Sequence, residues 1–397
     1  MKKTLTLLLI ALAVPALLSQ TQVANNAAEL AGKIIMLADG GTPRTITNLF
    51  TFDRDPSAPF AVSSGSAVVT NLDADTVDGF HASTFAVLSD NETASGDWTV
   101  SGDWTVSGAW TFSTLPSDLL TSCDGRLTLT TATPVTTSNV TGATTIYFTP
   151  YKGNRCALYD GASWDLFAFT ERSLALGTLS SDVNYDVFLY DNSGTLTLEL
   201  TAWSTDTTRA TALVLQDGVL TRTGATTRRY LGTFRTTSTT QTEDSYTKRF
   251  VWNYYNRVPR PMRVLESTNT WPYTLATYRQ ANASTANQLA FVVGVDEVPL
   301  TVMASAIAEN SSGNVQFRTA IGLDSTSTVA AGSVTGTARP PTSGFRATVH
   351  ASLRTFPGIG YHFAAWLEHS AATGTTTWIG DDGGTTDQTG ILGEIEG

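Results

Sequence analysis

The chain has 397 residues, enough for two or three domains that each enclose a core. Its residues are 41% hydrophobic and only 15% charged, against roughly 25% charged in an average soluble domain. Thr, Ser and Gly make up much of the polar remainder, and because these residues favour strands and turns, the composition predicts an all-β protein. The formal net charge of −11 argues against nucleic-acid binding, which needs a basic field.

The N-terminus has the layout of a secretory signal peptide. A short basic start, Met1 to Lys3, precedes an apolar run from Leu5 to Leu18 that is too short to span a bilayer comfortably. Residues 1–19 are therefore predicted to be a signal-like apolar segment. If this segment is a true signal peptide, the protein is secreted or extracellular. The alternative is an apolar segment that partner subunits bury.

Residues 95–112 form a repeat of six residues, SGDWTV, SGDWTV and SGAWTF. Six is an even number, so strand alternation stays in phase and one face collects all the large apolar side chains. This face, the Trp strip, consists of Trp98, Val100, Trp104, Val106, Trp110 and Phe112. Each side chain is worth roughly 1.5–3 kcal/mol on burial, and nothing else in the segment covers them. Self-association around one axis, as a homotrimeric shaft, is the expected solution, and a short monomeric solenoid is the alternative.

The rest of the chain predicts two β domains after an N-terminal attachment region and shaft at residues 20–118. Asp160-Gly161 and residues 191–194 are hairpin turns within a middle domain, residues 119–263. Pro259 and Pro261 indicate a boundary, and residues 264–397 form the C-terminal domain. Short strands separated by Gly-rich turns predict sandwich or jelly-roll architecture in both.

Metal and cofactor sites are not expected. Asp73, Asp75 and Asp78 lack the spacing of a calcium-binding EF-hand loop and fit a turn better. The four histidines, at 81, 350, 362 and 369, have no metal-ligand pattern. Cys123 and Cys156 could pair if their strands are neighbours, or could be two free buried thiols.

An enzyme is not predicted either. Glycan hydrolysis needs two carboxylates that flank a cleft, and the candidate pairs, Asp381 with Asp382 and Glu394 with Glu396, lie in or beside Gly-rich turns. No nucleophile elbow or phosphate-binding Gly loop occurs in the sequence.

A family resemblance adds to these inferences. Residues 71–82, NLDADTVDGFHA, are similar to a motif repeatedly seen in tail fibre shafts of tailed bacteriophages, and the repeats that follow look like the same kind of shaft. Residues 147–262, with the segments YKGNR, NYDVF, RRYLGTF and WNYYNRVPRP, resemble a module of phage and prophage structural proteins. The resemblance implies a virion fibre or appendage that contacts other virion proteins and a host surface glycan or protein.

Because fibres usually present their C-terminal end to the host, the resemblance places receptor binding in residues 264–397. The candidate sugar-stacking residues are Trp271, Tyr273, Tyr278 and Trp378. We expect Trp271 and Tyr273 at the surface because they flank Pro272, and Trp366 in the core.

Two other functions remain open. The first is a secreted bacterial β-sandwich binding module, which the signal-like segment favours. The second is an extracellular filament subunit that polymerises through the apolar N-terminus and the Trp strip.

Overall fold

The computed structural model describes residues 120–384 and 386–397, with two short strands earlier in the chain. These are β1 (Thr76–Val77) and β2 (Phe80–His81), which pair antiparallel within the motif of residues 71–82. The Trp strip lies outside the described residues, so the trimeric shaft stays a prediction.

The described chain from residue 120 onward is all-β, as the composition predicts. No α-helix occurs in this part, and one 3-10 turn lies at Ala281–Ala283. Its first fourteen strands are β3 (Gly125–Thr128), β4 (Val140–Ala143), β5 (Thr145–Pro150), β6 (Arg155–Tyr159), β7 (Trp164–Ala168), β8 (Arg172–Ala175), β9 (Asn184–Asn192), β10 (Thr195–Ala202), β11 (Leu213–Gln216), β12 (Val219–Arg222), β13 (Ala225–Arg235), β14 (Thr242–Asp244), β15 (Lys248–Arg249) and β16 (Val251–Asn253). The remaining strands are β17 (Pro259–Leu265), β18 (Thr270–Tyr273), β19 (Tyr278–Gln280), β20 (Gln288–Val293), β21 (Leu300–Asn310), β22 (Phe317–Leu323), β23 (Gly336–Ala338), β24 (Ala347–Thr355), β25 (Gly360–His369), β26 (Thr376–Ile379) and β27 (Gly390–Glu396).

These strands form four larger sheets and the hairpin β6–β7. Sheet I has the order β3-β5-β8, and sheet II has the order β10-β9-β13-β12-β11 with β16 also on β13. Sheet III has the order β23-β22-β25-β20-β15-β14-β4 with β19 also on β25. Sheet IV has the order β17-β27-β21-β26-β18 with β24 also on β21.

The two hairpins expected from turn residues are confirmed. β9 and β10 pair over their full length, and the two connecting residues, Ser193 and Gly194, have positive φ of 52° and 89°. Positive φ at both positions is what a tight two-residue hairpin needs, and Gly adopts it without steric cost. β6 pairs with β7 around Asp160, whose side chain accepts hydrogen bonds from the N–H groups of Ala162 and Ser163.

The C-terminal part is a β-sandwich. The inward faces of sheets III and IV enclose one apolar core to which nearly all their long strands contribute. Strand β21 shows the alternation: Val302 and Ala304 point into this core, whereas Met303 points away from it. Trp366 is fully buried here, as expected.

The middle part has its own core between sheets I and II, and β9 is covered on both faces. Tyr185, Val187 and Leu189 face this core. Phe188, on the other side of β9, packs with residues that include Val292 of β20. Sheet III contains strands from both sides of the predicted boundary at residue 264, so the middle and C-terminal parts share one sheet.

A buried ion pair lies where these parts meet. Arg209 donates from Nε and Nη2 to the carboxylate of Asp186, over 2.6 and 3.1 Å, and from Nη2 to the Gly294 carbonyl over 2.7 Å. Gly294 must be glycine, because a Cβ there would overlap the Tyr230 hydroxyl. The Asp186 side chain is only 1% exposed, so its charge depends on Arg209 for compensation.

We expect Arg209→Met to destabilise the protein by about 3–5 kcal/mol, because it leaves a buried carboxylate without its partner. Urea unfolding of the full chain measures this. Arg346→Met is the matched control: Arg346 also pairs with carboxylates but its side chain is 44% exposed, so about 0–1 kcal/mol is expected. Equal losses in the two variants would contradict the role given to Arg209.

Candidate interaction surface

The outer face of sheet IV carries exposed apolar side chains on neighbouring strands. Leu392 of β27 lies directly opposite Met303 of β21, and Met303 lies opposite Ser352 of β24. Ser352 in turn pairs with Val334 in an isolated bridge. Leu392, Met303 and Val334 are 41, 43 and 65% exposed. Together with Leu265 on β17, which is 50% exposed, we call them the outer apolar row.

The surroundings of this row are polar and carry charges of both signs. Arg263 faces Leu392 at one end. The adjacent cross-strand row contains Glu394, Thr301 and Arg354, all of them exposed. An apolar centre with a polar rim is the usual anatomy of a protein–protein contact.

The aromatic residues predicted to bind sugars lie elsewhere. Trp271 and Trp378 are cross-strand partners on β18 and β26, and with Tyr273 they point into the sandwich core, at 5, 0 and 6% exposed. The surface position expected for Trp271 and Tyr273 is therefore wrong. Pro272 is compatible with this strand because β18 lies at the edge of sheet IV, where the missing N–H of proline need not cost a hydrogen bond between strands. Since side chains alternate along a strand, Pro272 points outward while Trp271 and Tyr273 point inward.

Tyr278 is half-buried on β19 in the other sheet, with its ring centroid 4.9 Å from that of His369. The structure thus brings three of the four predicted residues together, but inside the core. Their role in ligand binding stays a prediction.

The exposed aromatic side chains of the C-terminal part were missed by sequence reasoning. Phe345 and Phe356 are 55 and 60% exposed, and they lie in the loops just before and just after β24. Phe residues beside Gly or Pro in a loop, as in Gly344-Phe345 and Phe356-Pro357, are the signal that could have found them.

Of the carboxylates considered for hydrolysis, Asp381 and Asp382 make structural contacts. Asp382 accepts a hydrogen bond from Arg346 over 2.8 Å, and Asp381 accepts one from the Gly383 N–H over 3.0 Å. Glu394 is exposed on the outer face of sheet IV. Among the described residues, no group of three or more His, Cys, Asp or Glu has an arrangement that could hold a metal ion.

A groove of about 270 Å³ lies between the edge strands β8 and β10. Its lining includes Glu171, whose carboxylate accepts hydrogen bonds from Thr131, Ala132 and Thr149. Burial alone would raise the pKa of Glu171, but these bonds lower it. The volume is just below the roughly 300–1,000 Å³ of small-molecule sites.

Glu368 of β25 is a buried carboxylate with a raised pKa. It accepts hydrogen bonds from Trp271 Nε1 and Arg279 Nε, each 2.6 Å long. Burial raises its pKa to about 7, although both donors act to lower it. Its neighbour His369 has its pKa lowered by burial and by the charge of Arg318.

Comparisons with known proteins give no family. No protein-family model matches the chain, and no curated protein matches it. Three Bacillus thuringiensis insecticidal proteins are weakly similar in structure. The delta-endotoxin Cry8Ea1 is 7% identical over 69% of this chain and 51% of its own, with a TM-score of 0.22. A Cry1Da tryptic core variant is 8% identical over 64% of this chain and 48% of its own, with a TM-score of 0.18. The crystal protein Cry7Ca1 is 8% identical over 68% of this chain and 50% of its own, with a TM-score of 0.15.

This chain thus spans about half the length of the solved structures it matches. The TM-scores are too low to support an inference about the fold or the function of this chain. Within the part of the chain that the structure describes, no helix is long and apolar enough to cross a membrane.

Glu368 predicts a specific pH dependence of stability. The pKa of Glu368 in the folded state, about 7, lies above its ordinary value of 4.5. Protonation of Glu368 therefore stabilises the folded state fully below about pH 4.5, and this stabilisation is lost as the pH rises through 7. The free energy of unfolding of wild type should therefore fall relative to Glu368→Gln by about 3 kcal/mol between pH 4.5 and 8.

Urea unfolding at several pH values measures this difference, and Glu394→Gln, which changes an exposed carboxylate, is the control. A difference between wild type and Glu368→Gln that does not vary with pH would show that Glu368 does not titrate in this range.

Proposed function

We propose that the chain is a non-enzymatic structural protein of a phage virion, a homotrimeric fibre or appendage that mediates attachment to the host surface. The observation that carries the proposal is the outer apolar row, which gives residues 264–397 a surface suited to contacts between subunits. The Trp strip and the phage-like motif of residues 71–82 support the same assembly from the sequence.

The shape and chemistry of the row favour a protein partner over a small ligand. Leu392 and Met303 lie side by side on a sheet face, and strand alternation sends their side chains away from the core. A sheet face offers contact area without enclosing a ligand, whereas small-molecule sites are concave. Burial of each apolar side chain would contribute roughly 1.5–3 kcal/mol, less the cost of association.

Host contact is proposed for the loops that carry Phe345 and Phe356. Both rings are more than half exposed, and exposed aromatic rings are suited to packing on the apolar faces of sugars or on a protein receptor. These loops flank β24 at its two ends, so they remain accessible when the centre of the face is covered by another subunit.

We expect the full chain to be a trimer by light scattering after size exclusion. Replacing Met303 and Leu392 together with Lys should weaken the trimer by at least tenfold in its dissociation constant, because six Lys side chains would then enter apolar contacts. Leu215→Lys is the control, since Leu215 is 63% exposed on β11 of sheet II, outside the outer apolar row.

The mass of the wild-type chain decides between the candidate functions. A monomer would overturn the fibre proposal and favour the secreted binding module, whereas a ladder of larger species would favour the filament subunit. If the double Lys variant forms the trimer with an unchanged dissociation constant, the outer apolar row is not part of the contact between subunits. A glycan array of the trimer, with Phe345→Ala and Phe356→Ala variants, then tests attachment.

A further inference from the structure

Cys123 and Cys156 lie directly opposite each other on adjacent backbone segments. They form an isolated antiparallel bridge, flanked by hydrogen bonds from Asp124 N–H to the Arg155 carbonyl and from Ala157 N–H to the Ser122 carbonyl. The two cysteines therefore occupy a non-hydrogen-bonded pair, the position at which facing side chains of antiparallel strands approach most closely. Their expected Cα separation falls within the range that a disulfide can bridge.

The two sulfur atoms are in contact. Sγ of Cys123 and Sγ of Cys156 are 2.7 Å apart, and both cysteines are free. The side chains are 5 and 0% exposed within the core between sheets I and II.

Arg229 provides a positive charge beside the pair. Its guanidinium donates to the carbonyls of Leu120, Thr121 and Ala157, over 2.9, 2.9 and 2.6 Å, and to the Tyr255 hydroxyl over 3.1 Å. Within residues 120–384 and 386–397 no carboxylate forms an ion pair with Arg229. Burial alone would lower the pKa of Arg229, but the two neighbouring sulfurs raise it.

The two thiols form one hydrogen-bonded pair beside Arg229. Burial and the hydrogen bond to Cys156 raise the pKa of Cys123. Burial alone would also raise the pKa of Cys156, but the hydrogen bond with Cys123 and the charge of Arg229 lower it. Since either sulfur can donate the hydrogen bond between them, one thiol can hold the proton while Arg229 favours the thiolate of the other.

We propose that Cys123 and Cys156 form an intramolecular disulfide on oxidation by a peroxide. One of the two cysteines ionises and its thiolate attacks hydrogen peroxide: an S–O bond forms, the O–O bond breaks, and the hydroxide that leaves takes the proton that this thiol released, as water. The sulfur of the other cysteine then attacks the oxidised sulfur: the S–S bond forms, the S–O bond breaks, and the departing hydroxide takes the proton of the second thiol as water. In total two thiols and one peroxide give one disulfide and two waters.

The oxidant is small because the site is closed. Cys156 has no exposed surface, so a bulky disulfide donor would need local unfolding to reach it, whereas peroxide is close to water in size. The product closes a loop between positions 33 residues apart, which stabilises the folded state mainly by restricting the unfolded chain. This inference is independent of the proposed function.

The test treats the full chain with hydrogen peroxide, quenches it, and denatures it in N-ethylmaleimide before mass spectrometry. The reduced protein should carry two maleimide labels and the oxidised protein none. Peptide mapping should show Cys123 linked to Cys156 with the loss of two hydrogens, separately from any oxygen added to the exposed Met303. The melting temperature should rise by about 5–10 °C on oxidation.

Cys123→Ser and Cys156→Ser are the controls, and neither should gain thermal stability on oxidation. Two labels on the peroxide-treated wild type would overturn the proposal. It would also fail if the treated cysteines gained oxygen, or if the disulfide joined two chains on a non-reducing gel. The decisive measurement uses the unaltered sequence, so a variant that fails to fold does not affect it.

Discussion

The parallel pairing of β15 with β20 is the contact on which the rest of the fold depends. Lys248 and Arg249 align with Ala290 and Phe291, and this two-residue ladder joins strands of the middle part to strands of the C-terminal sandwich. Backbone N–H and C=O groups inside a protein must be paired, so each part completes the hydrogen bonding of the other. The middle and C-terminal parts of the described residues are therefore joined through sheet III, to which both contribute strands.

Buried charge links sheet III to sheet IV, because Asp244 and Arg249 lie on β14 and β15 and Arg260 lies on β17. Asp244 receives hydrogen bonds from Arg249 and Arg260, and Arg260 also donates to the Thr136 carbonyl. Such ion pairs add little net stability over apolar packing, but any other arrangement would leave a charge buried without a partner. Although only 15% of the residues are charged, several arginines of the described residues are buried: Arg126, Arg229, Arg235, Arg249 and Arg260.

The sequence predicts the class of fold and the hairpins well because these depend on local signals. Ser193 and Gly194 determine a turn from two residues, and the apolar run of β25 around Trp366 predicts its burial. The positions of Trp271 and Tyr273 could not be predicted in the same way, because their burial depends on β18 being an edge strand beside β26. The outer apolar row could not be predicted either, since Met303 and Leu392 are distant in sequence and lie opposite each other only because β21 pairs with β27. Sheet III crosses residue 264 because of pairings over long sequence separations, which no local pattern encodes.

Arg229 has a mechanical consequence if the chain works as a fibre. The carbonyls of Leu120 and Thr121 accept hydrogen bonds from one guanidinium that also donates to the Ala157 carbonyl on β6. A pulling force applied at Leu120 would therefore be shared between two backbone segments from the start. Arg229 would distribute that force into the core instead of leaving it on a single backbone hydrogen bond.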